Sequence, residues 1–258
     1  MRVRAVGRLL NPLSAVLAET GRIVRFGAAL LRAAFTSLPP AGEFVRQLYE
    51  IGVESLPVLA AVSVFIGMNV ALEGYATMLR FGGESMVGVF AGMTEVRELC
   101  PAIAAGVITA KAGTRMASTL GLMRIKEQID ALEVMSVDPV RHLALPRFWA
   151  AVVVTPCLIV LSDSIAIAAT YLVSTVQLGL DPGSFWDHTV AYLHFSDIRN
   201  GMLKGVCFGA VIALLCCHFG FWAGRGPEGV GRATNRAVVV TGMVTILVNL
   251  ALTDLLYN

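Results

Sequence analysis

The sequence predicts an all-α polytopic membrane protein, with an N-terminal interfacial amphipathic helix, about five transmembrane helices, and a cytosolic helix between spans 2 and 3. Three observations predict this class. Of the 258 residues, 56% are hydrophobic and only 15% are charged, whereas a soluble domain carries about 25% charged residues. The apolar residues form long uncharged blocks, and the mean hydropathy is +0.73. Lysine and arginine concentrate between these blocks, and together the three observations argue against a soluble enzyme.

Residues 1–54 are expected to lie on the cytosolic face as interfacial helices, and residues 55–258 to form the transmembrane domain. In segment 13–38, apolar residues alternate with three arginines, which is typical of a helix lying in the membrane interface. Pro39 and Pro40 end this helix, and a second short helix begins at Ala41. An ordinary solvated leader remains the alternative. No cleavable signal peptide pattern is present in the sequence.

The first predicted span is residues 55–72, which carry no charge and suffice for about 30 Å of hydrocarbon at ~1.5 Å per residue. Pro57, Gly67 and Asn69 predict a kinked or imperfect helix. Residues 74–94 are expected to form an outer loop or a short re-entrant piece.

The second predicted span is irregular, because only residues 99–110 are uncharged. It must therefore extend outward through Arg97 and Glu98, or inward past Lys111. The other predicted spans are 148–180, 205–224 and 237–253. They are connected by an outer loop at 181–199 and a basic inner loop at 225–236.

The distribution of basic residues predicts the orientation of the chain. Segments 1–54, 111–147 and 225–236 hold 16 of the 20 Lys and Arg residues. Because cytoplasmic loops are enriched in these residues, we expect a cytoplasmic N-terminus and an external C-terminus. The arginines of the last inner loop are expected to contact anionic lipid headgroups rather than substrate: Arg225, Arg232 and Arg236.

Motifs for nucleotide, metal and hydrolytic sites are missing from the sequence. It contains no G-x-x-x-x-G-K-[ST] phosphate loop, so any ATP must be bound by another chain. Its five cysteines have neither a C-x-x-C pair nor a histidine at ligand spacing. No metal site and no nucleic-acid partner are expected.

Segment 121–138 is predicted to be one amphipathic cytosolic helix. Ile125, Ile129, Leu132 and Met135 share one face at spacings of three and four. Three acidic residues occupy the other face: Glu127, Asp130 and Glu133. Such a face suits either a partner protein or simple solvation.

Three segments carry a resemblance to the MlaE/YrbE permease family, the membrane subunits of ABC transporters that move lipids together with MCE-domain proteins. The first is VFIGMNVALEGY at 64–75, and the third is GVGRATNRAV at 229–238. The second runs from 97 to 147 and includes LGLMR at 120–124 and EQIDALEVM at 127–135. The pattern covers roughly 40–258, with departures at Lys111, Thr119 and Asn249, where the family usually has Arg, Glu and often Asp.

The resemblance implies a permease subunit that moves phospholipid or a similar lipid in a bacterial plasma membrane. It implies a separate ABC ATPase that binds ATP and Mg²⁺, so that no cofactor resides on this chain. It also implies an MCE-domain protein, a second copy of this chain, and room for a small regulatory subunit. Segment 121–138 would be the coupling helix, and its ATPase-contacting residues would be Arg124, Glu127, Gln128, Asp130, Ala131, Glu133 and Met135.

The resemblance further implies that an outward-facing lipid cavity is lined by Leu72, Tyr75, Arg97 and Glu98. Charges at membrane depth usually face a cavity or a partner, although a snorkelling interfacial pair is the alternative. Arg97 and Glu98 are adjacent and cannot share one helix face, so we expect them to have different partners. Asp163, the one charge in 148–180, suits a functional site or an inter-helix hydrogen bond equally well.

Two other classes of function remain open from sequence alone. An intramembrane lipid-modifying enzyme would draw on Ser162, Asp163 and Ser164, or on His218. The sequence, however, contains neither G-x-S-x-G nor H-E-x-x-H. An ion-coupled secondary transporter would usually show internal repeats, and no convincing repeat is found.

Overall fold

The computed structural model describes residues 2–83 and 86–257, with side chains described from Leu17 onward. Every regular element in this part of the chain is helical, as predicted. The α-helices are α1 (Arg2–Thr36), α2 (Ala41–Ile51), α3 (Leu56–Leu79), α4 (Val87–Thr94), α5 (Cys100–Ile108), α6 (Thr114–Ile125), α7 (Gln128–Val134), α8 (Leu145–Leu172), α9 (Pro182–Tyr192), α10 (Phe195–Phe221) and α11 (Gly226–Tyr257). Short π-helical turns follow or precede some of them: Glu95–Leu99, Thr109–Gly113, Val140–Ala144 and Val173–Gln177.

Four helical segments of the described chain are long and apolar enough to cross a bilayer: Ala41–Leu79, Val140–Gln177, Phe195–Phe221 and Gly226–Tyr257. α8 alone spans about 42 Å at ~1.5 Å per residue, which exceeds the roughly 30 Å of a hydrocarbon core. The chain is therefore an all-α polytopic membrane protein, in agreement with the sequence prediction.

The second predicted span is part of a longer structure that we call the central rod, residues 87–125. It consists of α4, α5 and α6 joined without interruption by two π-helical turns. The uncharged stretch 99–110 thus extends in both directions, through Arg97 and Glu98 and past Lys111. The rod packs against α8, α10 and α11, and buried small side chains such as Ala104, Ala105 and Ala112 allow this close approach.

Several predicted boundaries are wrong because helices continue through charged residues. α3 runs to Leu79 and the central rod begins at Val87, so most of 74–94 is helical rather than a loop. α10 starts at Phe195, ten residues before the predicted span, and α11 starts at Gly226 within the predicted basic loop. The outer loop at 181–199 contains α9, whose first turn is capped when Asp181 accepts a hydrogen bond from the Ser184 N–H (2.8 Å).

α3 is one continuous helix, contrary to the predicted irregularity. Pro57 stands in its first turn, where the missing N–H has no partner in any case. Gly67 instead serves packing: a Cβ there would lie 2.2 Å from the carbonyl oxygen of Ala166 in α8.

α1 ends at Thr36 and α2 starts at Ala41, which confirms the break at the two prolines. Phe26, Leu30 and Ala33 of α1 are buried against the protein, at spacings of four and three. A second stripe, which includes Leu31 and Phe35, is apolar but exposed. A helix that packs on protein with one apolar side and exposes another is consistent with the predicted position in the membrane interface.

Glycine lets α10 approach α8 at backbone distance. Gly205 and Gly209 are one turn apart, and a Cβ on them would lie 2.7 Å from Pro156 Cα and 2.4 Å from the Ala151 carbonyl oxygen, respectively. In membranes, where lipid competes equally for apolar surface, such close van der Waals packing drives helix association.

Gly209→Ala should therefore destabilise the α8–α10 pair, since the added methyl overlaps the Ala151 carbonyl oxygen. We expect a loss of about 1–3 kcal/mol, the usual result of overpacking, measured as a lower Tm in detergent. Gly242→Ala in α11 is the matched control, because a Cβ there meets nothing within 4 Å. Equal Tm values for the two variants would contradict glycine-mediated packing.

Candidate functional site

The outer polar cluster is formed by Arg97 and Glu98 of the central rod with side chains of α10 and α11. Both residues lie in the π-helical turn Glu95–Leu99. A π-helical turn adds a residue to the helix and changes the direction of the side chains around it, and such turns are frequent at functional sites.

Arg97 pairs with Asp197 of α10. Its Nε lies 3.0 Å from Asp197 Oδ1, and the Asp197 side chain is almost fully buried. The same carboxylate accepts a hydrogen bond from the His194 N–H (3.0 Å) at the start of α10. The guanidinium carbon of Arg97 lies 5.1 Å from the centre of the Tyr257 ring, a favourable cation–π distance.

Lys204 is the buried cation of the cluster, with a side-chain exposure of 0%. Its ammonium group donates to the Arg97 carbonyl oxygen (2.6 Å) and to Thr253 Oγ1 (2.7 Å), and it lies 3.5 Å from Glu98 Oε1. An ammonium has three N–H donors; two of them have hydrogen-bond acceptors here, and Glu98 provides the opposite charge. This satisfies the condition under which a buried charge is tolerated.

Glu98 thus has different partners from Arg97, as predicted. It interacts with Lys204 and accepts a hydrogen bond from Asn249 Nδ2 of α11 (3.1 Å). Asn249 is one of the departures from the family pattern, and its amide provides a donor that a carboxylate would lack. Because both charges have partners within the protein, a simple snorkelling pair does not describe them.

The other two residues predicted for the lipid cavity lie on α3. Leu72 is 45% exposed, and Tyr75 is partly buried about one turn further along. Leu72 continues an exposed face that includes Phe65 and Asn69, at spacings of four and three. No described hydrogen bond or ion pair joins Leu72 or Tyr75 to the outer polar cluster, so the structure assigns the four predicted residues to two neighbouring regions.

The apolar groove lies on this side of α3, against α5. Its cavity measures about 350 Å³, and it is lined by Val62, Phe65, Ile66, Asn69, Val70, Leu99 and Ile103. Leu99 is the residue after Glu98, so the groove and the outer polar cluster meet at the π-helical turn. Most of the lining is hydrocarbon with a single polar side chain, Asn69, which is the character expected of a site for acyl chains.

Sequence reasoning missed a second buried acid, Glu95, whose exposed fraction is 0%. Its carboxyl group is hydrogen-bonded to the Thr170 hydroxyl of α8, which also bonds the Gly67 carbonyl oxygen of α3 (2.9 Å). Near it, Ser63 and Ser162 join α3 to α8 through their hydroxyls (2.8 Å). These contacts connect three helices, and the only sequence signal for Glu95 was its position beside an uncharged stretch.

Asp163 is 7% exposed and lies against Cys100 of the central rod. Its neighbour Ser162 makes the inter-helix hydrogen bond to Ser63. His218 instead contacts Glu19 of α1, with 3.3 Å between Nε2 and Oε1. Cys217, next to His218, interacts with Arg147, which places His218 near the start of α8. Ser162 lies about 22 Å further along α8 at ~1.5 Å per residue. Serine, aspartate and histidine therefore do not converge on a hydrolytic site.

The coupling segment, residues 121–138, is not the single helix that the sequence predicts. α6 continues to Ile125, Glu127 adopts a left-handed conformation (φ 56°), and α7 occupies only Gln128–Val134. A left-handed non-glycine residue is unfavourable by about 1–2 kcal/mol. An ion pair between Arg124 and Asp130 spans the turn, and Ile129 is buried at 2% exposure.

α7 ends in a second left-handed residue, Ser136 (φ 60°). The Val137 N–H donates to the Leu132 carbonyl oxygen (2.9 Å), which is the long hydrogen bond of a Schellman C-cap. The cap turns the chain, and Met135 is exposed (64%). The prediction that Met135 shares the buried face of Ile129 is therefore wrong. Asp138 Oδ1 then accepts from the Val140 N–H (2.9 Å) and starts the next helical segment.

Most of the predicted ATPase-contacting residues are accessible. Five of the seven are exposed: Glu127, Gln128, Ala131, Glu133 and Met135. Arg124 and Asp130 are occupied by their mutual ion pair. The structure adds Val134, which is 87% exposed. The surface is therefore an apolar tip, Val134 and Met135, with acidic residues beside it.

The coupling segment is packed on the α10–α11 connection. A Cβ on Gly121 would lie 3.1 Å from Val230 and 3.2 Å from Ala223, so a larger residue would require these side chains to shift. Between the two elements lies a cavity of about 380 Å³, whose lining includes Arg124, Glu127 and Arg225. The coupling segment therefore lies beside the end of α10 and the start of α11.

Within residues 2–83 and 86–257, no group of three or more His, Cys, Asp or Glu side chains could hold a metal ion. The candidate site is therefore described by ion pairs, hydrogen bonds and apolar surface.

Comparison with known proteins identifies the family. The Permease MlaE family model matches residues 44–255. The chain is 34% identical over 215 residues to the intermembrane phospholipid transport system permease protein MlaE of Haemophilus influenzae, covering 83% of this chain and 82% of that protein. It is 35% identical over 214 residues to a probable ABC transporter permease protein of Rickettsia typhi, covering 83% of each. It is also 31% identical over 197 residues to the chloroplastic protein TRIGALACTOSYLDIACYLGLYCEROL 1 of Arabidopsis thaliana, covering 76% of this chain and 56% of that protein.

A match of this extent, on a chain with these membrane helices, establishes that the protein belongs to the MlaE permease family.

Proposed function

We propose that this chain is the membrane permease subunit of an ABC transporter that moves phospholipid or a similar lipid, with ATP bound and hydrolysed by a separate chain. The observation that carries the proposal is the central rod. It joins the π-helical turn of the outer polar cluster to the coupling segment, about 42 Å apart at ~1.5 Å per residue. One helix thus connects a lipid-facing region to a surface that a motor protein can contact.

The energy transfer would be mechanical. An ATPase that binds Val134 and Met135 displaces α7, which passes the displacement to the α10–α11 connection across the cavity that both line. The opposite ends of α10 and α11 hold Lys204 and Asn249, which contact Glu98. A change in the relative position of these helices would therefore reach the edge of the apolar groove.

The groove supports a second copy of the chain as part of the lipid site. It is open on one side and lies on an α3 face with several exposed apolar residues. A two-chain phospholipid has a large apolar surface that this shallow groove can only partly cover. Two copies facing each other would enclose it. An MCE-domain protein on the outer side would then exchange lipid with the groove.

The proposed setting is the inner membrane of a bacterium, with the N-terminus and the coupling segment in the cytoplasm. Its support is the concentration of 16 of 20 basic residues in segments that this orientation places inside. The proposal requires no catalytic residue on this chain, since its task is binding and movement.

The first prediction concerns ATPase docking. Val134→Asp should weaken assembly with the ATPase about tenfold or more, because it puts a charge in an apolar contact that excludes water. The measurement is co-purification of the two chains, followed by a binding titration. Val190→Asp, at an exposed valine of α9 (69%), is the control and should assemble normally. Normal assembly of Val134→Asp would refute the docking role of α7.

The second prediction concerns the groove. Phe65→Asn should reduce the phospholipid that co-purifies with the assembled complex, because an amide replaces apolar surface at the centre of the lining. The control is Leu161→Asn in α8. Leu161 lies at about the same level along the helices as Phe65, because its neighbour Ser162 is hydrogen-bonded to Ser63 of α3. It is also exposed (40%), and it should keep its lipid. Equal lipid content in both variants would argue against the groove as the lipid site.

The third prediction concerns the outer polar cluster. Lys204→Met leaves Glu98, Thr253 and the Arg97 carbonyl without their donor. Glu98 is 40% exposed, so the main loss is that of the two hydrogen bonds from the buried ammonium. A hydrogen bond to a charged group contributes about 1.5–3 kcal/mol, so we expect a clear drop in Tm. Lys126→Met, at an exposed lysine, should stay within about 0.5 kcal/mol of the parent. A normal Tm for Lys204→Met would show that the cluster does not hold the helices together.

A further inference from the structure

A cavity of about 290 Å³ lies where α1, α10 and α11 meet, next to the α10–α11 connection. We call it the basic cavity. A single water needs only about 10–15 Å³ by the same measure, so the space suits a larger group. Its lining is Glu19, Arg22, Phe219, Trp222, Gly224, Gly229, Arg232, Ala233 and Arg236. Three arginines face one glutamate, which leaves an excess of positive charge.

Glu19 interacts with two residues, Arg22 and His218, on one wall of the cavity. Glu19 forms an ion pair with Arg22 and contacts His218 Nε2 at 3.3 Å. Partial burial acts to raise the pKa of Glu19, but the hydrogen bonds from His218 and Arg22 outweigh it and lower the pKa below its ordinary value. Glu19 therefore stays ionised and fixed to these two residues, and it does not neutralise the opposite wall.

The opposite wall is the row Glu228, Arg232 and Arg236 on α11. Arg232 pairs with Glu228 at 2.7 Å, but both side chains are largely exposed (67% and 83%), so this pair contributes little. Arg236 follows one turn later and is exposed. Like charges four residues apart on a helix repel each other. An anion lying between Arg232 and Arg236 would remove this repulsion.

We infer that the basic cavity binds a phosphate group, carried by an anionic lipid headgroup of the inner leaflet or by a soluble phosphate compound. Arginine suits this ligand because its planar guanidinium donates two parallel hydrogen bonds to phosphate oxygens. Trp222, 62% exposed at the end of α10, supplies an amphipathic ring of the kind that is enriched at headgroup level. The site is separate from the apolar groove and the outer polar cluster.

The basic cavity would link lipid composition to transport. The same α10–α11 connection separates it from the cavity that borders the coupling segment, and Gly224 lines both. A bound phosphate group would fix α1 against α11 and thereby stiffen the connection on which Gly121 packs. The inner-leaflet source rests on the proposed orientation, but phosphate binding itself does not.

Binding can be measured on the purified full chain by native mass spectrometry. The probes are dihexanoyl phosphatidylglycerol, dihexanoyl phosphatidylcholine and inorganic phosphate. We expect saturable phosphatidylglycerol binding that Arg236→Gln weakens about tenfold, a change of about 1.4 kcal/mol. Arg225→Gln is the matched control, because Arg225 lies in the α10–α11 connection but lines the cavity beside the coupling segment and not the basic cavity. It should change the affinity less than twofold.

The two sources are distinguished by competition. If inorganic phosphate does not displace phosphatidylglycerol, the ligand is the lipid headgroup; if it binds equally well with the same dependence on Arg236, the ligand is a soluble phosphate. Equal weakening by Arg225→Gln and Arg236→Gln would overturn the inference, because it would indicate diffuse attraction. The absence of saturable binding of both phosphatidylglycerol and inorganic phosphate to the wild-type chain would also overturn it. Failure of wild-type assembly would affect only the proposed function.

Discussion

The burial of charge along the central rod is the constraint on which the rest of the structure depends. Its outer part carries Glu95, Arg97 and Glu98 at a depth where unpaired charges are unfavourable by several kcal/mol. Each has a partner on a neighbouring helix: Thr170 of α8 for Glu95, and two residues of α10, Asp197 for Arg97 and Lys204 for Glu98. The π-helical turn directs three nearby side chains toward different neighbours, and the helices around the rod are thereby held in one arrangement.

This constraint explains how much of the fold could be predicted. Uncharged blocks marked the spans correctly as helices, because hydrocarbon leaves the backbone no other partners. The predicted start of the first span agrees with α3, but several other ends were wrong where a charge was taken as a boundary, as at Glu73 and Arg236. Lys204 was placed at the outer edge of a span, but it lies within α10 at 0% exposure, since three acceptors converge on it. Partners that come from two other helices, the rod and α11, leave no mark in the local sequence.

The candidate site was predictable to a similar degree. The adjacency of Arg97 and Glu98 predicted that their partners differ, and periodicity predicted that Ile129 faces the protein. The left-handed residues Glu127 and Ser136 were missed, since neither is glycine or asparagine and no turn signature precedes them. Glu127 lies in the turn that the Arg124–Asp130 ion pair and the burial of Ile129 stabilise, and Ser136 is held by the capping hydrogen bonds at the end of α7. The sequence therefore indicated which surface is exposed but not its shape.

The two ends of the rod differ in stiffness, and the difference sets the path that a displacement takes. The outer end is held by ion pairs with nearly buried partners, Lys204 and Asp197 (0% and 4% exposed). α7 is held by one buried isoleucine and by an ion pair whose members are 36% and 50% exposed, and exposed pairs contribute at most about 1 kcal/mol. A force on α7 therefore moves α7 before it moves the rod. Asp130 of α7 lines the same cavity as Arg225 and Gly226, so the displacement of α7 passes sideways into the α10–α11 connection. The rod, whose Gly121 packs on Val230 and Ala223, acts as the fixed element against which those two helices shift.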